Sequence, residues 1–265
     1  MKTLAVIYFG AVKKKIPTNF SLTDRDLTLW HCNRTPHAMD FLKAIPIHGL
    51  NQAITPRQFR SFLMYQLGMP LFSKDSMCSN CNGLMYVFGD HAVHCAGEVG
   101  QKFRHYVVKD VLADMCYKAG VVARKEVSLG FSSNNVYSLR PADILFYNWE
   151  DGKDVCMDVT GVSPFTSART RNFTPGHAIS ATVTRKRDKY LDTCTAQGYG
   201  FVVLAFSTLG ELGSEMISFL QRLRNCLVSH DANHKIGDSL FFRLGVVIQK
   251  GIGAQLVARI PAPNV

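Results

Sequence analysis

The stretch that decides the fold is Arg140–Thr160, which reads RPADILFYNWEDGKDVCMDVT. Two apolar runs flank the sequence Asn148–Gly152, a pattern typical of two strands joined by a turn. Side chains alternate between the two faces of a strand, so the most apolar residues share one face while Asp143 and Asp158 take the other. The sequence therefore predicts a hairpin that brings these two carboxylates together.

A regular alternation of helices and strands surrounds this hairpin. The predicted elements are a helix over 101–120, strands over 121–129, 140–147 and 153–162, a helix over 178–196, a strand over 199–206 and a helix over 211–228. Their order is α-β-β-β-α-β-α. The pattern predicts an α/β (α+β) core over residues 100–229.

The flanking regions give weaker patterns. Residues 1–54 contain three prolines and mixed polarity, which predicts an irregular N-terminal segment. Within it, Met1–Val12 is interpreted as a strand or a fragment of an element without its partner, with a signal-peptide core as the alternative. Residues 55–99 begin with an amphipathic helix that Thr55 caps and Gly68 ends. Residues 230–265 are apolar enough to pack, and we treat them as a C-terminal extension without an assigned place.

Net charge indicates the class of binding partner, and cysteine usage indicates the cellular compartment. The 265 residues carry 30 Lys and Arg against 20 Asp and Glu, a net charge of +10 that favours a polyanion, with DNA first and RNA as the alternative. No apolar run approaches the roughly 20 residues of a membrane span. Five of the eight cysteines are scattered along the chain, which is typical of a reducing compartment. These observations predict an intracellular protein with no membrane association.

The other three cysteines belong to a motif with metal-ligand spacing. The sequence CSNCNGLMYVFGDHAVHC places Cys78, Cys81, His91 and Cys95 as two close pairs separated by nine residues. Three thiolates and one imidazole fill all four positions of a tetrahedral zinc ion, so the predicted site is structural. His94 is an alternative to His91, and three buried free cysteines with a surface histidine are the alternative to a metal.

The two hairpin carboxylates suit a different ion. Mg²⁺ or Mn²⁺ takes oxygen ligands, keeps several waters and polarises a scissile phosphate. Glu126, on the preceding predicted strand, is a candidate third ligand or water-positioning acid. The alternative is an ordinary solvated hairpin with exposed aspartates.

Four stretches, in this order, resemble one known family. They are CSNC…GDHAVHC (78–95), RPAD (140–143), MDVTGVSP (157–164) and RKRDKY (185–190). Together they look like the C-terminal region of non-LTR retrotransposon polyproteins, in which a Cys-Cys-His-Cys zinc knuckle precedes a restriction-like PD-(D/E)xK endonuclease. The resemblance implies a restriction-endonuclease-like α-β-β-β-α-β core preceded by the knuckle. It also implies metal-dependent cleavage of DNA, with Asp143 and Asp158 as metal ligands.

Three features depart from the family pattern. The family motif is Lys/Arg-Pro-Asp, whereas Ala142 here displaces the acid by one residue. No polymerase Tyr/Phe-x-Asp-Asp motif occurs, which predicts a fragment, a degenerate copy or a gene derived from such an element. The family lysine that follows the second acid by two residues is replaced by Thr160.

The helix over 178–196 offers a replacement for that lysine. On a helical wheel Lys186 lies roughly 50° from the centre of the apolar face, and Lys189 roughly 110° away. Arg187 is about as close as Lys186 on the opposite edge. Lys186 is therefore the predicted catalytic cation and Lys189 the second candidate. A basic solvated helix face is the alternative.

The same region has a local surplus of cations. Arg169, Arg171, Arg185 and Arg187 are predicted to hold a phosphate backbone without reading its sequence. The basic residues of the helix over 101–120 are interleaved with acids and are interpreted as a solvated face, and His105 as structural.

The sequence thus favours one function and leaves others open. The first hypothesis is a retrotransposon-derived, nuclear, metal-dependent DNA endonuclease. The alternative is a catalytically inactive nucleic-acid-binding or interaction module held by a structural zinc. A zinc-stabilised regulatory protein unrelated to nucleic acid is a third.

Overall fold

Helices and short strands precede a mixed sheet, and helices follow it. The computed structural model describes residues 2–45, 49, 52–95, 99–127, 129, 142–165, 174–230 and 234–260, with backbone alone at 2–7, 9, 99, 230 and 234–238. The elements in chain order are α1 (Lys2–Asn19), α2 (Asp24–Cys32), a 3-10 helix (Asp40–Lys43), α3 (Pro56–Gln66), β1 (Ser76–Met77), β2 (Leu84–Met85), α4 (Val99–Lys118), β3 (Ala123–Lys125), β4 (Ile144–Glu150), β5 (Lys153–Val162), α5 (His177–Ala196), β6 (Gly200–Ser207), α6 (Ser214–His230) and α7 (His234–Val257).

The central sheet has four strands in the order β3-β4-β5-β6. The pairs β3–β4 and β4–β5 are antiparallel, whereas β5 and β6 are parallel and α5 connects them. The register pairs Ile144 with Met157. Asp143 precedes Ile144 and Asp158 follows Met157, so in this antiparallel register the two acids are neighbours across the sheet.

Both faces of the sheet are buried, each by different helices. Val155, Met157 and Val159 of β5 belong to one core with apolar residues of α4, α6 and α7. Cys156 points the other way and packs with Ile179 and other residues of α5. Because side chains alternate, Asp158 shares the face that α5 covers.

The predicted α/β pattern agrees with the observed one from α4 to α6. The strand expected over 153–162 is observed as Lys153–Val162, and Thr55 caps α3 through a capping box with Gln58. The strand expected over 121–129 is shorter, since it ends at Lys125. The strand expected over 140–147 begins later, at Ile144, and Arg140 and Pro141 lie outside the described residues.

The expectation of an irregular segment over residues 1–54 is wrong. Lys2–Asn19 forms a helix where we predicted a strand over Met1–Val12, and a second helix, with a capping box between Thr23 and Asp26, covers Asp24–Cys32. A nearly continuous apolar run fits a helix as well as a strand, so its periodicity could not decide between them.

The region treated as a C-terminal extension is part of the core. α7 packs against α3, α4, α6 and the 3-10 helix, and its Leu244, Val247 and Ile252 are fully buried. Ser239–Val257 is long and apolar enough to cross a membrane, but 72% of that window is buried inside the protein. That burial is typical of a core helix.

Candidate functional site

Cys78, Cys81, His91 and Cys95 lie together, as their spacing predicts. Their ligand atoms all lie within 4.8 Å of one another. The Sγ atoms of Cys78 and Cys95 are 3.8 Å apart, and those of Cys95 and Cys81 3.6 Å. A tetrahedron with Zn–S bonds of about 2.3 Å has sulfur–sulfur edges of about 3.8 Å. The group can therefore hold a metal ion such as zinc.

Local hydrogen bonds distinguish His91 from His94 as the ligand and favour the thiolate form of Cys78. His91 Nε2 lies 3.1 Å from Cys81 Sγ, whereas His94 donates from Nδ1 to the carbonyl of Asp90 at 2.6 Å. Burial opposes ionisation of Cys78, but backbone N–H groups at Asn80 and Cys81 outweigh it and lower the pKa of this thiol to about 6. At neutral pH Cys78 is thus a thiolate, the form that binds metal.

A second site lies in a polar cleft at the end of β5 away from the hairpin turn. The cleft has a volume of about 460 Å³ and is bounded by α4, β5 and α5. Asp143, Asp158 and Lys186 line it, as does His105 of α4. Among the described residues the Cys/His group alone offers three or more close metal-ligating side chains. Any ion in the cleft would therefore depend on the two carboxylates, waters and substrate oxygens.

Asp158 and Lys186 form a partly buried ion pair in this cleft. Lys186 Nζ donates to Asp158 Oδ1 at 2.7 Å, and Asp158 is only 5% exposed. The other oxygen, Oδ2, is buried and has no hydrogen-bond partner among the residues that the structure describes. Burial raises the pKa of Asp158 above its ordinary value, although the Lys186 ammonium opposes this.

Asp143 has a different set of partners. Its Oδ2 accepts a hydrogen bond from His105 Nε2 at 3.0 Å and another from the Val159 backbone N–H at 2.8 Å. Burial alone would raise the pKa of Asp143, but His105, Val159 and nearby Lys109 together hold it below its ordinary value. Asp143 is therefore ionised at neutral pH.

Glu126 lies next to this network but makes a different contact. It follows β3 in a left-handed conformation (φ 53°), and its N–H donates to the Asp143 carbonyl at 3.1 Å. Its carboxylate forms an ion pair with Lys109 and does not line the cleft. The structure thus brings Asp143, Asp158 and Lys186 together but turns Glu126 towards α4.

The predicted phosphate-binding cations differ in availability. Arg185 and Lys189 are exposed on α5, with Lys189 Nζ 4.8 Å from the ring centroid of Tyr190. Arg187 is paired with Glu215 at the start of α6. Arg169 and Arg171 lie outside the described residues.

The interpretation of α4 as carrying a solvated basic face is wrong for two residues. Arg104 is 2% exposed and donates to the Val93 carbonyl and to Gln255 Oε1, and the Lys109 side chain is 2% exposed. His105, interpreted as structural without a partner, contacts Asp143. Its spacing of four residues from Lys109 was a signal that both face the sheet.

Comparison with known proteins assigns no family. The chain matches no model of a protein family, and no curated protein is similar to it in sequence.

Proposed function

We propose that this chain is a metal-dependent DNA endonuclease with a restriction-like core and a structural zinc knuckle. The order of elements from α4 to β6, α-β-β-β-α-β, supports the proposal, as does the position of two acids and a lysine in one cleft. In this proposal the knuckle is closed to substrate because the protein supplies all four ligands. The four sequence stretches described above support an origin in a retrotransposon and action in the nucleus.

The observation that carries the proposal is the burial of the Asp158 carboxylate. A buried carboxylate oxygen without a partner is costly, and a bound cation or proton is the usual compensation. Within the described part of the chain Asp158 Oδ2 is such an oxygen, and Asp158 lines the cleft together with Asp143, a second carboxylate. This donor set fits Mg²⁺ or Mn²⁺, hard cations that accept few protein ligands and several waters.

Each cleft residue then has a role that its contacts support. Asp143 and Asp158 would hold the ion, which when bound polarises the scissile phosphate and lowers the pKa of a water. Lys186 keeps Asp158 oriented through the 2.7 Å contact, and its ammonium can stabilise negative charge that develops on the phosphate.

The surrounding charge supports a nucleic-acid substrate. The chain carries a net charge of +10, and Lys102 and Lys186 border the cleft while Arg185 and Lys189 lie exposed on the same helix as Lys186. Such cations bind phosphates and position the duplex without specifying a sequence.

A plasmid-nicking assay tests the proposal. Zinc-loaded wild-type protein should nick supercoiled DNA with Mg²⁺ or Mn²⁺, whereas Asp158→Asn should not, because the amide cannot replace the anionic ligand. Asp188→Asn, which changes an exposed acid on α5, is the matched control and should cleave normally.

The alternative outcomes have clear meanings. Equal cleavage by wild type and Asp158→Asn would refute the catalytic assignment. Absence of cleavage by the wild type, with DNA binding retained, would favour the inactive nucleic-acid-binding module.

A further inference from the structure

We propose that His105 is a positioning residue that fixes the Asp143 carboxylate so that one oxygen, Oδ1, faces the metal. This inference rests on the proposed function and assigns a role that the sequence did not indicate. It makes the cleft a four-residue unit in which each acid has its own orienting partner.

The contact geometry defines which oxygen is used. Asp143 Oδ2 accepts two hydrogen bonds, from His105 Nε2 at 3.0 Å and from the Val159 N–H at 2.8 Å. These donors come from different elements, α4 and β5, so together they fix the rotation of the carboxylate plane. The arrangement leaves Oδ1 as the oxygen that Asp143 can offer to a ligand.

The two acids follow one scheme. On Asp158 the orienting donor is Lys186, which binds Oδ1, while no described residue pairs with Oδ2. On Asp143 the orienting donor is His105. Each carboxylate thus has one oxygen bound by a side chain of a flanking helix. The scheme suits a single ion held by one oxygen from each acid.

The protonation state of His105 at Nε2 follows from its partner. An ionised carboxylate only accepts hydrogen bonds, so the ring must carry its proton on Nε2. His105 therefore acts as a donor, the role in which histidine and carboxylate orient each other around metals.

The helical turn that carries His105 is held on both sides. Arg104, the preceding residue, is anchored to Val93 and Gln255, and Lys109, one turn later, to Glu126. The Tyr106 ring packs edge-on against His105 with centroids 5.7 Å apart. Such support limits the movement of the imidazole, as a positioning role requires.

The test compares three variants of the full-length, zinc-loaded chain. His105→Leu removes the donor, His105→Gln retains an N–H donor at an equivalent distance, and Tyr117→Leu changes an exposed residue on the same helix. Mn²⁺ binding is measured by electron paramagnetic resonance, with Asp158→Asn as the blank for binding elsewhere. Steady-state nicking gives kcat and KM for the plasmid.

The expected result is a separation of the variants. His105→Leu should weaken Mn²⁺ binding and lower kcat by about 10-fold to 100-fold, with KM for DNA unchanged, because only the ligand geometry is lost. His105→Gln should retain most of the Mn²⁺ affinity and most of kcat, and Tyr117→Leu should behave as wild type.

The outcomes distinguish this inference from the proposed function. If the wild type binds no more Mn²⁺ than Asp158→Asn, the metal site and the role of His105 both fail. If the wild type binds Mn²⁺ and His105→Leu binds it equally, only the role of His105 fails. A loss in His105→Gln as large as in His105→Leu would show that the ring matters rather than its N–H, and would also overturn the inference.

Discussion

At the scale of residues, the two cleft acids have opposite electrostatic roles although they are neighbours. Hydrogen bonds from His105 and Val159 lower the pKa of Asp143, whereas burial raises that of Asp158. A carboxylate with a lowered pKa stabilises the fold in its ionised form, and one with a raised pKa destabilises it. The cleft therefore combines an acid that contributes to stability with one that opposes it.

This difference predicts opposite effects of two isosteric substitutions. Near pH 7, without added divalent cation, Asp143→Asn should lower the free energy of unfolding by about 1.5–3 kcal/mol, the usual range for a hydrogen bond to a charged group. Asp158→Asn should raise the free energy of unfolding. Urea titrations monitored by circular dichroism measure both.

The pH dependence of the free energy of unfolding provides a control for these two predictions. The contribution of Asp143 is present above its unfolded pKa of about 3.9 and is lost as pH falls through its lower folded pKa. The penalty from Asp158 is absent below the unfolded value and develops as pH rises through its higher folded pKa. Both differences from wild type should therefore shrink in acid, and a difference that grows there would contradict the assignment.

Lys186 should matter for cleavage far more than its neighbour. Lys186→Met removes the ammonium bound to Asp158 and should slow nicking by about 100-fold to 1,000-fold, the usual cost of one charge-stabilising donor. Lys189→Met removes an equal charge from the exposed flank of α5 and should change the rate little. Equal losses in the two variants would point to a general effect of charge on DNA binding.

Helix periodicity was sufficient to predict that Lys186 lies beside the sheet, but it was insufficient to predict which residues of α4 are buried. On α5 the apolar residues follow one face, so the position of each cation relative to the sheet could be calculated. On α4 acidic and basic residues are interleaved and resemble a solvated face. Arg104 and Lys109 are buried because α7 and the chain after β3 cover them, and neither contact has a local pattern in the sequence.

At the scale of elements, the zinc knuckle depends on close approach at one glycine. A Cβ added to Gly83 would lie 2.9 Å from His91 Cε1 and 3.3 Å from Cys81 Sγ. Gly83→Ala should therefore displace two of the four ligands and lower the affinity for zinc. Competition with a chromogenic chelator measures the change.

A glycine in open space provides the matched control. No described atom lies within 4 Å of a Cβ added to Gly10, so Gly10→Ala should retain zinc as wild type does. Because Ala92 and Val93 of the knuckle are buried in a core shared with α3 and α7, zinc loss should also lower the melting temperature. Unchanged zinc affinity in Gly83→Ala would contradict the assigned ligand geometry.

The elements themselves were predictable where capping and periodicity agree. Thr55 and Gly68 delimit α3, and alternation delimits β5. The helices α1, α2 and α7 were missed. In α1 and α7 the apolar residues surround the helix or form a continuous run, so neither the period of a helix nor that of a strand stands out. α2 differs, because the capping box of Thr23 and Asp26 was a readable signal for its start.

At the scale of the whole molecule, net charge predicts a salt-dependent affinity for DNA. Arg185→Met should weaken binding to unrelated sequences alike and reduce the slope of log affinity against log salt by about 1, the value for one phosphate contact. Fluorescence anisotropy over a series of salt concentrations measures this slope.

Lys153 provides the control for this effect. It is exposed at the other end of β5 from the cleft, so Lys153→Met removes the same charge away from the proposed DNA path. If both variants reduce the slope equally, the positive charge acts as a diffuse field and α5 is not a specific phosphate-binding surface.

The last helix has a consequence for how the protein is made. The chain leaves the ribosome with its N-terminus first. The helices α3, α4 and α6 therefore all emerge before α7, which packs against each of them. Until then the apolar faces that later meet Leu244, Val247 and Ile252 remain open to solvent, a state in which nascent chains associate wrongly or recruit chaperones. The cleft and the knuckle therefore cannot reach their final rigidity before residue 257 has left the ribosome.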